Sequence, residues 1–225
     1  MVLVVMEGRL RRRGLKALSS KGVVLLGALS LFSAATLSLL PGVASASSTT
    51  TTTTGTTLYV APNGSGTSTT CSETVPCSLT HAITLANSTS GDTVMVGAGT
   101  YDTGTASTNA NLTTGTIVIT ASMTIVGAGA DKTFIGGTST SDQVAGSVFQ
   151  IDAVTSYPTV TISGVTVQYG NATNNVGGGI SNFGNLTVTN DTISGNSASG
   201  AYYSYNAGGI FNNGTLTRSS PLASV

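Results

Sequence analysis

Charged side chains make up only 7% of the 225 residues and aromatic ones 5%, and tryptophan is absent. There is one histidine, His81, and there are two cysteines, Cys71 and Cys77. Each shortage excludes something. So little charge of either sign excludes ordinary disorder, which combines high net charge with low hydrophobicity. One histidine and two cysteines leave a zinc site short of its four ligands. No D-x-D-G calcium loop and no glycine-rich nonapeptide calcium repeat occurs, so neither a metal nor a cofactor is expected. Lysine and arginine are scarce beyond residue 21. Nucleic acid is therefore excluded as a partner, because phosphate binding needs clustered bases.

The basic residues are at the front. Arg9, Arg11, Arg12, Arg13, Lys16 and Lys21 precede an apolar run from Gly22 to Leu40, and Ala44 and Ala46 then stand in an A-x-A arrangement. This is the pattern of a secretory signal peptide over residues 1–46, with an uncleaved anchor as the alternative. The part beyond it keeps Lys132 and Arg218 against seven acids, a formal balance of −5. The mean hydropathy of +0.28 owes much to the front of the chain. No second long apolar run follows, so no membrane span is expected after signal removal. The expected location is secreted or at the cell surface.

Residues 47–57, Ser/Thr-rich, read as a linker. Residues 58–91 read as an N-terminal cap. It holds a short strand, "LYVAP", ended by the turn "NGSG", then the loop "CSETVPC" and a helix in "SLTHAITLAN". Leu79, Ala82, Ile83 and Ala86 fall at helical spacing, and Ser78 is placed to cap that helix. In an exported chain Cys71 and Cys77 are expected to form a disulfide.

From Asp92 the pattern changes to apolar pieces of four to six residues broken by Gly or Asn, which are strands and tight corners. "GGISNFGNLTVT" from Gly178 returns as "GGIFNNGTLTRS" from Gly208, a shift of thirty, and "VTISGVTV" from Val160 resembles "LTVTNDTI" from Leu186, a shift of twenty-six. Periods of that size indicate stacked coils. In a stack every side-chain column repeats at the strand spacing of about 4.8 Å. Leu186 and Val188 then face inward and Thr187 and Thr189 outward. Like charges repeated up a column repel, whereas stacked Asn and Thr pair from coil to coil, so low charge suits the architecture.

Four stretches resemble a known family. "CSLTHAI" at Cys77 resembles the CSLREA-type opening motif of secreted bacterial β-helix proteins, with Thr80 and His81 in place of its Arg and Glu. "GDTVMVGAGTY" at Gly91 is similar to that family's first coil, and "MTIVGAGADKTFIGG" at Met123 to its next signature. The "GGGI" repeats resemble its coils and those of polymorphic outer-membrane proteins. The resemblance spans Leu58 to about Thr217. It implies an all-β, right-handed parallel β-helix, a pectate-lyase-like solenoid, over residues 92–217 with one short N-terminal capping helix. Residues 218–225 leave the pattern. Arg218 falls where Val188 sits, an inward position, and no capping element follows, so the chain is expected to be truncated at its C-terminus.

Candidate chemistry is sparse. Asp92, Asp102, Asp131, Asp142, Asp152 and Asp191 are scattered, and the repeats align no two of them on one face, so no catalytic residue is assigned. Asp131-Lys132 reads as a solvated corner and His81 as a helix-surface residue. The outward positions Thr161, Ser163, Thr187 and Thr189, continued by Thr217 and Ser219, form a possible hydroxyl strip, against the plainer reading of threonine favoured by strand geometry. Sequons at Asn63, Asn87, Asn111, Asn171, Asn185, Asn190 and Asn213 follow from an Asn- and Thr-rich composition. The leading expectation is a structural or adhesive protein that contacts carbohydrate or a cell surface. The alternatives are a polysaccharide lyase or glycoside hydrolase fragment without its catalytic coils, and ice binding through outward threonine columns.

Overall fold

The computed structural model describes residues 55–107, 114–153, 157–173, 177–200, 207–219 and 223–224. The expected signal peptide 1–46, the expected linker as far as residue 54, residues 201–206, the Asn111 sequon and residues 220–222 and 225 lie outside the described residues.

Among the described residues the short apolar pieces form eighteen strands, beside one helix. Every pairing between these strands is parallel. A six-stranded sheet stacks Thr57–Ser65, Asp92–Val96, Met123–Gly127, Thr159–Ser163, Asn185–Thr189 and Thr215–Ser219 in chain order. A five-stranded sheet runs from Gly99–Asp102 to Ala223–Ser224, and a four-stranded one from Ile117–Ile119 to Ile210–Asn212. A three-stranded sheet holds Val144–Ala145, Gly170–Thr173 and Ser197–Ser199. From Thr133 onward the chain visits them in a repeating order: five-, three-, four- and six-stranded. The protein is thus mostly β, built of parallel sheets.

Register explains the core. Along the six-stranded sheet Leu58, Val94, Ile125, Ile162 and Val188 are successive partners, all at most 4% exposed. Tyr101, Ile135, Val167 and Ile193 make the matching column of the five-stranded sheet, and Ile117, Phe149, Ile180 and Ile210 that of the four-stranded one. Ile180 is completely buried. The expected shifts of thirty and twenty-six are the observed registers: Leu186 pairs with Leu216 and with Val160. Arg218 does pair with Val188, as expected, but it lies on the outermost strand of that sheet and is exposed. A charge on an edge strand discourages edge-to-edge association.

The helix spans Leu79–Ala86 and buries Leu79, Ala82, Ile83 and Ala86. Its N-cap residue is Ser78, but the serine side chain makes no capping bond, and its Oγ is buried without a partner. The capping role expected for that hydroxyl is therefore corrected: the Ser78 side chain packs inward, and its carbonyl takes the Ala82 N–H instead. Asn87, after the helix, donates from Nδ2 to the Val118 carbonyl and accepts the Thr120 N–H on Oδ1, finishing the edge of the four-stranded sheet.

Two further expectations shift. The first strand does not end at "NGSG" but continues to Ser65. Gly64 permits this, because a Cβ there would stand 2.0 Å from the Cys77 carbonyl oxygen. The three-stranded sheet, in which only Val144 and Thr173 favour strand and the rest are Gly, Asn, Ala and Ser, was not expected from strand propensity. At its approach Tyr169 and Gly195 both take positive φ, 54° and 62°. They occupy equivalent places one repeat apart, and a Cβ on Gly195 would stand 2.9 Å from the Tyr169 ring.

Candidate functional site

The outward positions of the six-stranded sheet align more fully than the repeats suggest. Thr57 pairs with Thr93, Thr93 with Thr124, Thr124 with Thr161, Thr161 with Thr187 and Thr187 with Thr217. One file of six threonines therefore crosses all six strands, at about 4.8 Å per step. All six are half-buried or exposed. Strand alternation puts them on the face opposite the aliphatic column.

The next file, two residues on, changes character. It reads Tyr59, Met95, Val126, then Ser163, Thr189, Ser219. Thr161, Ser163, Thr187 and Thr189 thus share one face, as the sequence suggested. Thr57, Thr93 and Thr124 were missed there, because the sequence distance between partners varies from strand to strand. The signal was nevertheless present as Thr followed by an aliphatic residue in "TLYV", "TVMV" and "TIVG".

Beside the apolar half of the second file lies a concavity of about 310 Å³, lined by Tyr59, Met95, Val126, Pro76 and Glu73 among others. The disulfide Cys71–Cys77 closes the loop that carries Glu73 and Pro76. Both cysteines are fully buried. His81 reaches the Ser68 carbonyl at 2.7 Å from Nε2, which ties the helix to the segment just before Cys71.

Two of the acids meet in space although no repeat aligns them. Asp102 and Asp142 are hydrogen-bonded to each other. Burial raises the Asp102 carboxyl above its ordinary range, helped by the Asp142 charge and opposed by the Gly104 N–H. Burial also works to raise Asp142. The Thr138 hydroxyl at 2.7 Å, the Ala106 N–H at 2.7 Å and the Thr138 N–H outweigh it and hold Asp142 low. The Asp142 carboxylate beside it is already filled by loop donors. The arrangement joins the end of the strand Gly99–Asp102 and the turn after it to the segment Thr138–Asp142, and sequence could not reveal it because no repeat aligns the two residues.

Asp191 is 1% exposed and accepts the Val165 N–H at 2.8 Å and the Thr189 N–H at 3.1 Å. Burial pushes its carboxyl up from 3.8 to about 6 in spite of those bonds. Since the folded value exceeds the unfolded one, the contribution is complete below about pH 4 and lost as pH rises through 6. The loss amounts to about 3 kcal/mol. Urea unfolding at pH 4 and pH 7.5 should show that decline. Asp191→Asn should remove this share of it, and an unchanged pH slope in the variant would refute the assignment.

Asp92 accepts the Thr56 N–H at 2.7 Å, while Asp131 and Lys132 are exposed at a corner. Among the described residues no group of three or more His, Cys, Asp or Glu is placed to hold a metal ion. Among them, too, no helix is long and apolar enough to cross a membrane. Comparisons with protein families, with curated proteins and with solved structures give no match for this chain.

Proposed function

We propose that this chain is a secreted or surface-displayed right-handed parallel β-helix of structural and adhesive type. The outer face of its six-stranded sheet would be the contact surface for carbohydrate. The observation that carries the reading is the unbroken file of Thr57, Thr93, Thr124, Thr161, Thr187 and Thr217. Each hydroxyl is both donor and acceptor, as is each sugar hydroxyl. Single contacts of this kind are weak, but a polymer engages several coils at once, and linked contacts multiply. The repeating order of the sheets and the all-parallel registers support the helical winding, and the resemblance at Cys77, Gly91 and Met123 supports the family.

The second file favours sugar over ice. An ice-like lattice needs regular spacing in two directions, and Tyr59, Met95 and Val126 interrupt the hydroxyl array across half the face. The Asp102–Asp142 pair has its oxygens directed to the protein's own loops, which supports a structural use of those acids.

Retention on insoluble β-glucan and chitin tests the proposal. The double variant Thr161→Val, Thr187→Val keeps shape and strand preference while removing two central hydroxyls. It should weaken retention about tenfold, corresponding to roughly 0.7 kcal/mol for each lost hydrogen bond. Unchanged retention, or depression of the freezing point without any retention, would overturn the reading.

A further inference from the structure

The concavity at the N-terminal half of the hydroxyl face is chemically unlike its surroundings. Its walls are apolar, formed by Met95, Val126 and Pro76, with the Tyr59 ring as the aromatic element. Among its lining residues Glu73 alone carries a charge. Glu73 is exposed, and no basic side chain lines the site. The only bases beyond the front of the chain are Lys132 and Arg218. The threonine file runs alongside, since Thr57, Thr93 and Thr124 stand two residues before Tyr59, Met95 and Val126 on the same three strands.

An apolar and aromatic wall with one carboxylate and no cation among its lining residues thus stands beside a line of hydroxyls. A ligand that satisfies all three has an apolar ring face, hydroxyls on its edge and a positive charge. A neutral sugar leaves Glu73 unanswered. A lysine side chain answers Glu73 and the wall but leaves the threonines idle. We propose that this concavity is a subsite for a cationic amino sugar within a polymer, with the pyranose CH face on Tyr59 and Met95 and the ammonium at Glu73. The negative formal balance of the part beyond the signal draws the same ligand at long range.

This inference rests on the carbohydrate reading of the hydroxyl face, and titration calorimetry on the full chain separates the two. The probes are a β-1,4-linked glucosamine hexamer, its fully N-acetylated form and the 2-hydroxy hexamer of glucose, at pH 6 and low salt. The glucosamine hexamer should bind at least tenfold tighter than either neutral one, and the advantage should shrink as salt rises. Glu73→Gln, on an exposed loop, should abolish the advantage and leave neutral binding intact. Tyr59→Ala should weaken the glucosamine hexamer most. Equal affinities for charged and neutral hexamers, or an advantage that survives Glu73→Gln, overturn the subsite. The hydroxyl-face reading then still stands, provided the neutral hexamers respond to the Thr161→Val, Thr187→Val pair. No binding of any hexamer overturns both. Tighter binding of a lysine hexamer than of the glucosamine hexamer overturns the subsite in favour of a basic peptide.

Discussion

Ile162→Ala should lower the unfolding free energy by about 4 kcal/mol, whereas Thr161→Val beside it should change stability by less than about 0.5 kcal/mol. Ile162 is fully buried, with Ile125 and Val188 as its strand partners on either side. Removing its outer carbons forfeits their transfer free energy and leaves a cavity that parallel strands on both sides cannot collapse into, a loss of about 2–5 kcal/mol for such sites. The upper half of that range applies because the neighbours above and below are tied by full backbone ladders. Thr161 points the other way, and valine retains its branched shape on the outer face. Placing the defect in the middle of the stack has a second consequence. Each strand of that sheet pairs only with its immediate neighbours, so a weakened central pairing allows the two ends of the sheet to unfold separately. Denaturation followed by circular dichroism should therefore show a lower midpoint together with a broader transition. A midpoint shift as small as that of Thr161→Val would mean that Ile162 is not in a packed column.

That contrast between adjacent residues was already legible in the sequence, because alternation in "TVTIS" assigns Ile162 and Thr161 to opposite faces. The thirty- and twenty-six-residue repeats likewise gave the registers of the last coils. What remained hidden has a common physical origin. Successive strands of the six-stranded sheet lie at unequal distances along the chain, so Thr57, Thr93 and Thr124 do not line up by counting, although backbone pairing aligns them. The three-stranded sheet uses Asn171, Ala172, Ser197 and Ala198, residues whose strand preference is low and whose pairing is imposed by the neighbours on each side. Asp102 and Asp142 meet because the segment Thr138–Asp142 folds toward the end of the strand Gly99–Asp102, and such loop paths are not encoded in a periodic pattern. Ser78 occupies the cap position that sequence assigns it, yet its hydroxyl is turned inward by burial.

Asn182→Ala should cost about 4 kcal/mol, and Asn182→Leu should recover less than half of that loss. Asn182 lies in a column whose earlier members are aliphatic, Ile119 and Ile151, and its partner on the far side is Asn212. A fully buried amide in an aliphatic column is stable only if its polar atoms are satisfied. Here Nδ2 faces the Asn212 Oδ1 at 2.6 Å, the Thr215 carbonyl at 3.0 Å and the Gly184 carbonyl at 3.2 Å, while Oδ1 accepts the Gly184 N–H at 3.0 Å. The side chain thus bridges the turn after its own strand to the next coil. Alanine leaves the Gly184 N–H and the three oxygens that face Nδ2 without that partner, and each such group costs roughly 1–3 kcal/mol where it is buried. Leucine restores apolar volume but none of those bonds, which is why it recovers so little. Asn212, exposed on the outer coil, should lose less than about 1 kcal/mol on the same change to alanine. Amide exchange at Gly184 gives the local readout, with protection falling in both Asn182 variants. A leucine variant as stable as the parent would show that the column tolerates an aliphatic residue here and that the amide bridge contributes nothing.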